Sequence, residues 1–85
     1  MKTQVIIYSR PGCHLCEEAK QAILKAGVAD QYTLSEVNIA DDPELLARYK
    51  NDIPVITFDG VEAFRHRVSP ADFAAALKQR RVQAE

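Results

Sequence analysis

The stretch QVIIYSRPGCHLCEEAK, residues 4–20, decides how the chain folds. Its first five residues form a short apolar run with β-branched side chains, which predicts a strand buried on both faces. The Pro-Gly pair at 11–12 interrupts this run. Both cysteines of the chain, Cys13 and Cys16, follow at once, at the start of a predicted helix over 14–26. That helix is indicated by apolar residues at helical spacing, namely Leu15, Ala19, Ala22, Ile23 and Ala26.

The remaining sequence continues to alternate between strand and helix patterns. We predict further strands over 32–39, 54–58 and 61–68, and helices capped at their starts by Asp42 and Ser69. Beyond Gln79 the last helix is expected to fray. The order β-α-β-α-β-β-α predicts an α/β fold in one domain, residues 1–85. A helical connection makes the first two strands parallel, and an Asp-Gly turn makes the last two strands an antiparallel hairpin. The result is a mixed four-stranded sheet flanked by helices.

Composition narrows the classes of function. The 85 residues include 11 basic and 12 acidic ones, for a net charge of −1. This balance argues against a nucleic-acid-binding face, which needs a basic surface. No apolar run has the length of a membrane span, and the N-terminus lacks the pattern of a secretory signal. We therefore expect a cytoplasmic monomer that binds neither nucleic acid nor membrane. Thiols are normally kept reduced in the cytoplasm, so the cysteine pair is expected to be catalytic or metal-binding rather than structural.

The position of Cys13 favours redox chemistry. The first N–H groups of a helix have no partner within the helix, and the helix dipole adds positive charge there. Both effects stabilise a thiolate and lower the pKa of Cys13. Residues three apart at a helix start lie on one side, close enough for a disulfide. Cys16 lies on the inward side of the helix, so we predict Cys13 as the attacking thiol and Cys16 as the resolving one. His14 favours the thiolate when it is protonated, whereas Glu17 and Glu18 oppose it.

Two other uses of the cysteine pair have to be weighed. A zinc site needs about four ligands, and the chain has two cysteines and two histidines, one of them inside the motif. A structural disulfide closing so short a loop stabilises a protein little. Redox work is therefore favoured, with no metal.

The pattern as a whole resembles the thioredoxin superfamily and, within it, the glutaredoxins. The resemblance covers nearly the whole chain through VIIYSRPGCHLCEEAK and DDPELLARYKNDIPVITFDG. It implies a thioredoxin-like fold, with Cys13 and Cys16 as the redox pair. It also implies that Pro54 is a cis-proline facing the disulfide, and that the backbone of Ile53 pairs with the backbone of a substrate.

The resemblance further implies that Tyr8 and Arg10 flank the cysteines, where a basic residue meets a carboxylate of glutathione. Two features depart from the usual glutaredoxin pattern. The residues between the cysteines are His14 and Leu15, and the paired-glycine turn before the last helix is absent. We predict a glutaredoxin-like thiol–disulfide oxidoreductase that acts on protein disulfides or glutathionylated thiols. It needs no cofactor, and glutathione or a reductase would reset it. The alternatives are an iron–sulfur cluster or metal carrier, and a redox-silent binding module.

Overall fold

The computed structural model describes residues 2–84 and contains four strands, three α-helices and two short 3-10 turns, at Ala29–Gln31 and Ile39–Asp41. The strands are β1 (Thr3–Ser9), β2 (Tyr32–Asn38), β3 (Val55–Phe58) and β4 (Val61–Arg65). The helices are α1 (His14–Lys25), α2 (Pro43–Tyr49) and α3 (Pro70–Ala84). The predicted element order is confirmed.

The sheet has the strand order β2-β1-β3-β4. β1 pairs in parallel with β2 and antiparallel with β3, and β3 pairs antiparallel with β4. This is the predicted mixed four-stranded sheet. Residues of β1 alternate between its faces, because successive side chains of a strand point to opposite sides. Val5 and Ile7 belong to the core cluster shared with α1 and α3, while Tyr8 stacks on Tyr49 of α2, with ring centroids 5.0 Å apart.

Local signals explain where the helices begin. Asp42 accepts hydrogen bonds from the N–H groups of Glu44 (2.9 Å) and Leu45 (3.4 Å), which satisfies two of the otherwise unpaired donors of α2. Ser69 Oγ accepts from the N–H of Asp72 at 3.0 Å and caps α3 in the same way. Phe73, fully buried, then anchors α3 by edge-to-face contacts with two aromatic rings, those of Tyr32 and Phe58.

The predicted strand over 61–68 was too long. The register of β3 and β4 shifts between Ile56 and Thr57, which leaves Ala63 as an extra residue in β4. The strand then ends because His66 has a φ of 66°, in the left-handed region, and the N–H of Arg67 bonds to the C=O of Arg65 at 2.7 Å. The expected alternation of Phe64, His66 and Val68 on one face is therefore wrong: His66 is exposed, while the other two pack against the core cluster.

The expected fraying beyond Gln79 is also not seen, since α3 runs to Ala84. Two side chains attach its last turns to the rest of the protein. Arg80 Nε donates to Asp59 Oδ2 at 3.3 Å, and Arg81 donates to the C=O of Gln31 at 2.9 Å. Among residues 2–84, no helix is long and apolar enough to cross a membrane.

Candidate redox site

The two cysteines form a disulfide at the start of α1, with Cα atoms 5.3 Å apart. Cys13 is the N-cap residue, and its Sγ accepts the N–H of Cys16 at 3.2 Å. Cys13 is half-buried, whereas Cys16 is 3% exposed. The predicted difference in access is therefore present: an external sulfur reaches Cys13 more easily than Cys16.

The turn before Cys13 explains how the thiol comes to lie at the helix start. The N–H of Cys13 bonds to the C=O of Arg10 at 3.3 Å, which closes a four-residue turn. Pro11 occupies its second position, and Gly12, with a φ of 80°, occupies the third. Proline followed by a residue with positive φ is the pattern of a type II turn, and glycine adopts this φ at no steric cost. The Pro-Gly pair thus directs the chain from β1 into α1 with Cys13 as the cap.

The loop before β3 ends at the same edge of the sheet. Tyr8 pairs with Val55, the first residue of β3, so Pro54 immediately precedes β3 and lies at the end of β1 that leads into the cysteine turn. The Ile53–Pro54 peptide bond is cis, as the resemblance to glutaredoxins implies. Among the hydrogen bonds of the described residues, none uses the N–H or the C=O of Ile53. The two backbone groups of Ile53 are therefore unpaired among the described residues.

The other predicted site residues have less defined surroundings. Arg10 and His14 are exposed, next to the cysteine turn and in the first turn of α1. Tyr8 is half-buried against Tyr49 and lies on the sheet face opposite the core cluster. Their roles in substrate binding, and the tuning role of His14, stay predictions.

A polar contact that the sequence analysis above does not anticipate links α1 to β1 and β2. Ser9, 5% exposed, donates from Oγ to Glu36 Oε2 at 3.2 Å, and Lys20 Nζ lies 3.5 Å from Glu36 Oε1. The pairing joins the ends of β1 and β2 to α1, one helical turn beyond Cys16. Alternation in 32–39 was visible in the sequence, but the partner of Glu36 depends on the parallel register and had no local signal.

A second polar cluster holds the loop that carries Ile53 and Pro54. Arg65 Nη1 lies 3.2 Å from Asp52 Oδ2, and Arg65 also donates to Glu62, with Nη2 2.9 Å from Oε1. The hydrogen bond from Arg65 lowers the pKa of Glu62, and the same bond raises the pKa of Arg65. Asp52 and Glu62 carry no local sequence signal, because their contacts require the pairing of β3 with β4.

Among the described residues 2–84, no group of three or more His, Cys, Asp or Glu side chains is placed to bind a metal ion. A cleft of about 130 Å³ separates α1 from the segment after β4, and it is lined by Leu15, Glu18, Ala19, His66, Arg67 and Val68.

A mixed sheet of this topology, a CxxC disulfide at the start of α1 and a cis-proline opening β3 define a thioredoxin-like protein. Solved structures show the same fold. A structural genomics target from X. campestris matches with a TM-score of 0.77 at 25% identity, over 88% of this chain and 96% of its own. A protein from Nitrosomonas europaea matches with a TM-score of 0.75 at 23% identity, over 89% of this chain and 92% of its own. Fasciola hepatica thioredoxin matches with a TM-score of 0.52 at 20% identity, over 99% of this chain and 82% of its own.

Within this class, the chain belongs to the glutaredoxin-like domain family (DUF836), whose model matches residues 4–78. A curated relative from Dictyostelium discoideum, described as a glutaredoxin-like protein, is 34% identical over 67 residues. That alignment covers 72% of this chain and 62% of the relative, so the chain spans less than two thirds of the relative's length. The resemblance inferred from the sequence is confirmed.

Proposed function

We propose that the protein is a dithiol–disulfide oxidoreductase that reduces protein disulfides or glutathionylated thiols. The observation that carries the proposal is the asymmetry of the cysteine pair. Cys13 is the accessible cap of α1, with its sulfur at an N–H donor, and Cys16 is buried within bonding distance. A helix N-terminus stabilises a thiolate, which is the nucleophile in disulfide exchange.

The proposed reaction has two exchange steps. The Cys13 thiolate attacks one sulfur of the target disulfide, a Cys13–substrate disulfide forms, and the first substrate thiolate leaves and takes a proton from water. Cys16 then loses its proton and attacks the Cys13 sulfur, which releases the second substrate thiolate. The substrate gains two electrons, and the protein is left with the Cys13–Cys16 disulfide. Two molecules of glutathione, or the dithiol of a reductase, return it to the reduced state.

The loop before β3 supports polypeptide substrates in this proposal. The N–H and C=O of Ile53 have no partner among the described residues. Ile53 lies in the short segment between α2 and β3, the strand that pairs with β1. An extended substrate adds main-chain hydrogen bonds at such a site, and these are independent of substrate sequence. We assign Ile53 and Pro54 to substrate binding, together with Tyr8, Arg10 and His14. The reducing cytoplasm is the compartment that we propose for this activity.

The test is a disulfide-reduction assay run with two reducing systems. One contains glutathione and glutathione reductase, and the other contains thioredoxin reductase; NADPH oxidation reports turnover. We expect activity with one of them, complete loss in Cys13→Ser, and a trapped mixed disulfide in Cys16→Ser because the resolving step is blocked. If neither system supports turnover, or if Cys13→Ser keeps its activity, the proposal is wrong.

A further inference from the structure

We propose that Asp52, Arg65 and His66 are positioning residues that hold the Ile53–Pro54 segment for a polypeptide substrate. They would thereby make the protein prefer disulfides within a peptide chain over small disulfides. This inference rests on the proposed function and assigns a substrate class to the same site.

The end of β4 holds the loop before β3 on both sides of Ile53. The N–H of His66 donates to the C=O of Pro54 at 2.8 Å. The His66 ring nitrogen Nε2 lies 3.3 Å from the C=O of Asn51 and 3.9 Å from Asp52 Oδ1. Residues 51, 52 and 54 are therefore attached to β4 and its end, while Ile53 between them keeps its backbone groups unpaired among the described residues.

Arg65 is itself held in place, which makes it a defined anchor. Glu62, three residues earlier on the same strand, accepts from both Nε and Nη2 of its guanidinium. The remaining nitrogen, Nη1, meets Asp52 at 3.2 Å. A planar guanidinium fixed by one carboxylate loses little further freedom when it binds a second one. Asp52 is also fixed through its backbone, since its N–H donates to the C=O of Tyr49 at 2.8 Å.

The unusual backbone conformation of His66 places it beside the loop before β3. A histidine with a φ of 66° is uncommon, and the left-handed conformation ends β4 at this residue. It turns the chain toward α1, where His66 and Arg67 line the cleft opposite Leu15 and Glu18. His66 therefore lies between the loop of Ile53 and the helix of the redox pair.

These contacts are too exposed to matter much for global stability. The side chains of Arg65, His66 and Asp52 are 47%, 54% and 31% exposed, and ion pairs of this kind contribute little to folding. We expect these contacts to affect the geometry of the loop before β3 instead. A substrate with a peptide backbone uses that loop through Ile53, whereas a disulfide without amide groups cannot.

The test compares two disulfides in single-turnover reactions of the fully reduced protein, without glutathione. One is a short synthetic peptide closed by a disulfide, and the other is bis(2-hydroxyethyl) disulfide. In Asp52→Ala we expect the rate with the peptide to fall by about three- to tenfold, the effect of losing one or two weak contacts. The rate with the small disulfide should stay within about twofold. His66→Ala should show the same selective loss, and Asp52→Glu, which keeps the carboxylate, should recover part of the peptide rate.

Glu44→Gln is the matched control, because Glu44 forms an exposed ion pair with Arg48 of α2 and, among the described residues, no ion pair with the loop before β3. It should change neither rate. Equal losses with both disulfides in Asp52→Ala, or no loss with either, would overturn the positioning role. A wild-type protein that reduces neither disulfide would overturn the proposed function and this inference with it.

Discussion

Reduction of the Cys13–Cys16 disulfide is predicted to lower the free energy of unfolding by no more than about 2 kcal/mol. The cysteines are separated by three positions in the chain, so the bond closes a very small loop. In the chain-entropy account, the stabilisation grows with loop length and reaches about 3 kcal/mol only near 15 residues. A ring this small constrains the unfolded chain little. The oxidised and reduced proteins should therefore be similar in stability.

Ionisation of Cys13 in the reduced protein is expected to offset part of this difference at the helix start. In the disulfide-bonded structure Cys13 is already the N-cap residue, with its sulfur 3.2 Å from the N–H of Cys16, and we expect the free thiolate to keep this place. N-cap side chains contribute about 0.5–2 kcal/mol to helix stability. The hydrogen bond from the N–H of Cys16 to the Cys13 sulfur is strongest when that sulfur is ionised.

This cap makes the stability difference depend on pH. We expect the N–H of Cys16 and the helix dipole to lower the pKa of the reduced Cys13 thiol below its unfolded value of about 8.5. A lowered pKa in the folded state adds stability above the unfolded pKa, and this stability is lost as the pH falls through the folded pKa. The reduced protein thus gains stability at high pH and loses it at low pH. The gap between the oxidised and reduced forms should be smaller at pH 9 than at pH 5.

Urea unfolding followed by far-UV circular dichroism measures this gap, with and without a phosphine reductant. Cys13→Ser is the control: it forms no such disulfide, so the reductant should leave its unfolding midpoint unchanged at both pH values. A gap above about 4 kcal/mol would refute the small-loop argument. A gap that widens between pH 5 and pH 9 would refute the assignment of Cys13 as a thiolate-stabilising cap.

Three further predictions concern stability and use the same unfolding assay. Ser69→Ala removes the acceptor for the N–H of Asp72 and should cost about 1 kcal/mol, whereas Ser69→Asp, which keeps an acceptor, should cost little. Phe73→Leu removes two edge-to-face ring contacts in the core and should cost about 1–3 kcal/mol; an unchanged midpoint would contradict the packing of α3. Because the bond from Arg65 lowers the pKa of Glu62, their pairing stabilises above the ordinary Glu pKa of about 4.3 and is lost below it. Glu62→Gln should therefore cost less than about 1 kcal/mol at pH 7 and nothing at pH 2, and equal costs at both would contradict the pairing.

Elements with local signals were predictable from the sequence. Asp42 and Ser69 are N-cap residues followed by proline, and both helices begin where these residues indicate. The Asp-Gly turn is also local, since Asp59 and Gly60 both adopt positive φ, as a two-residue hairpin of this type requires. The redox pair belongs to the same category, because a strand, a Pro-Gly turn and a helix start lie within 17 consecutive residues, 4–20.

Features set by contacts distant in sequence were not predictable in this way. Nothing in VEAFRHRV marks His66 as the end of β4, because the alternation that starts at Phe64 continues through it to Val68. The left-handed φ of His66 is stabilised by bonds to Asn51 and Pro54, which become neighbours only after β3 and β4 have paired. The same holds for the attachment of Arg80 to Asp59, which extends α3 beyond the predicted fraying point.

The site combines a fixed backbone with loosely held side chains, and this division suits exchange with varied partners. A turn fixes Cys13, and the end of β4 fixes the segment around Ile53, in both cases through main-chain hydrogen bonds of 2.8–3.3 Å. Arg10 and His14, in contrast, are exposed and make no side-chain hydrogen bond with the described residues. In the proposed function, sulfur exchange needs a defined approach to Cys13, and the backbone supplies it. We propose that the exposed side chains recognise particular partners, since they can adapt without moving that backbone.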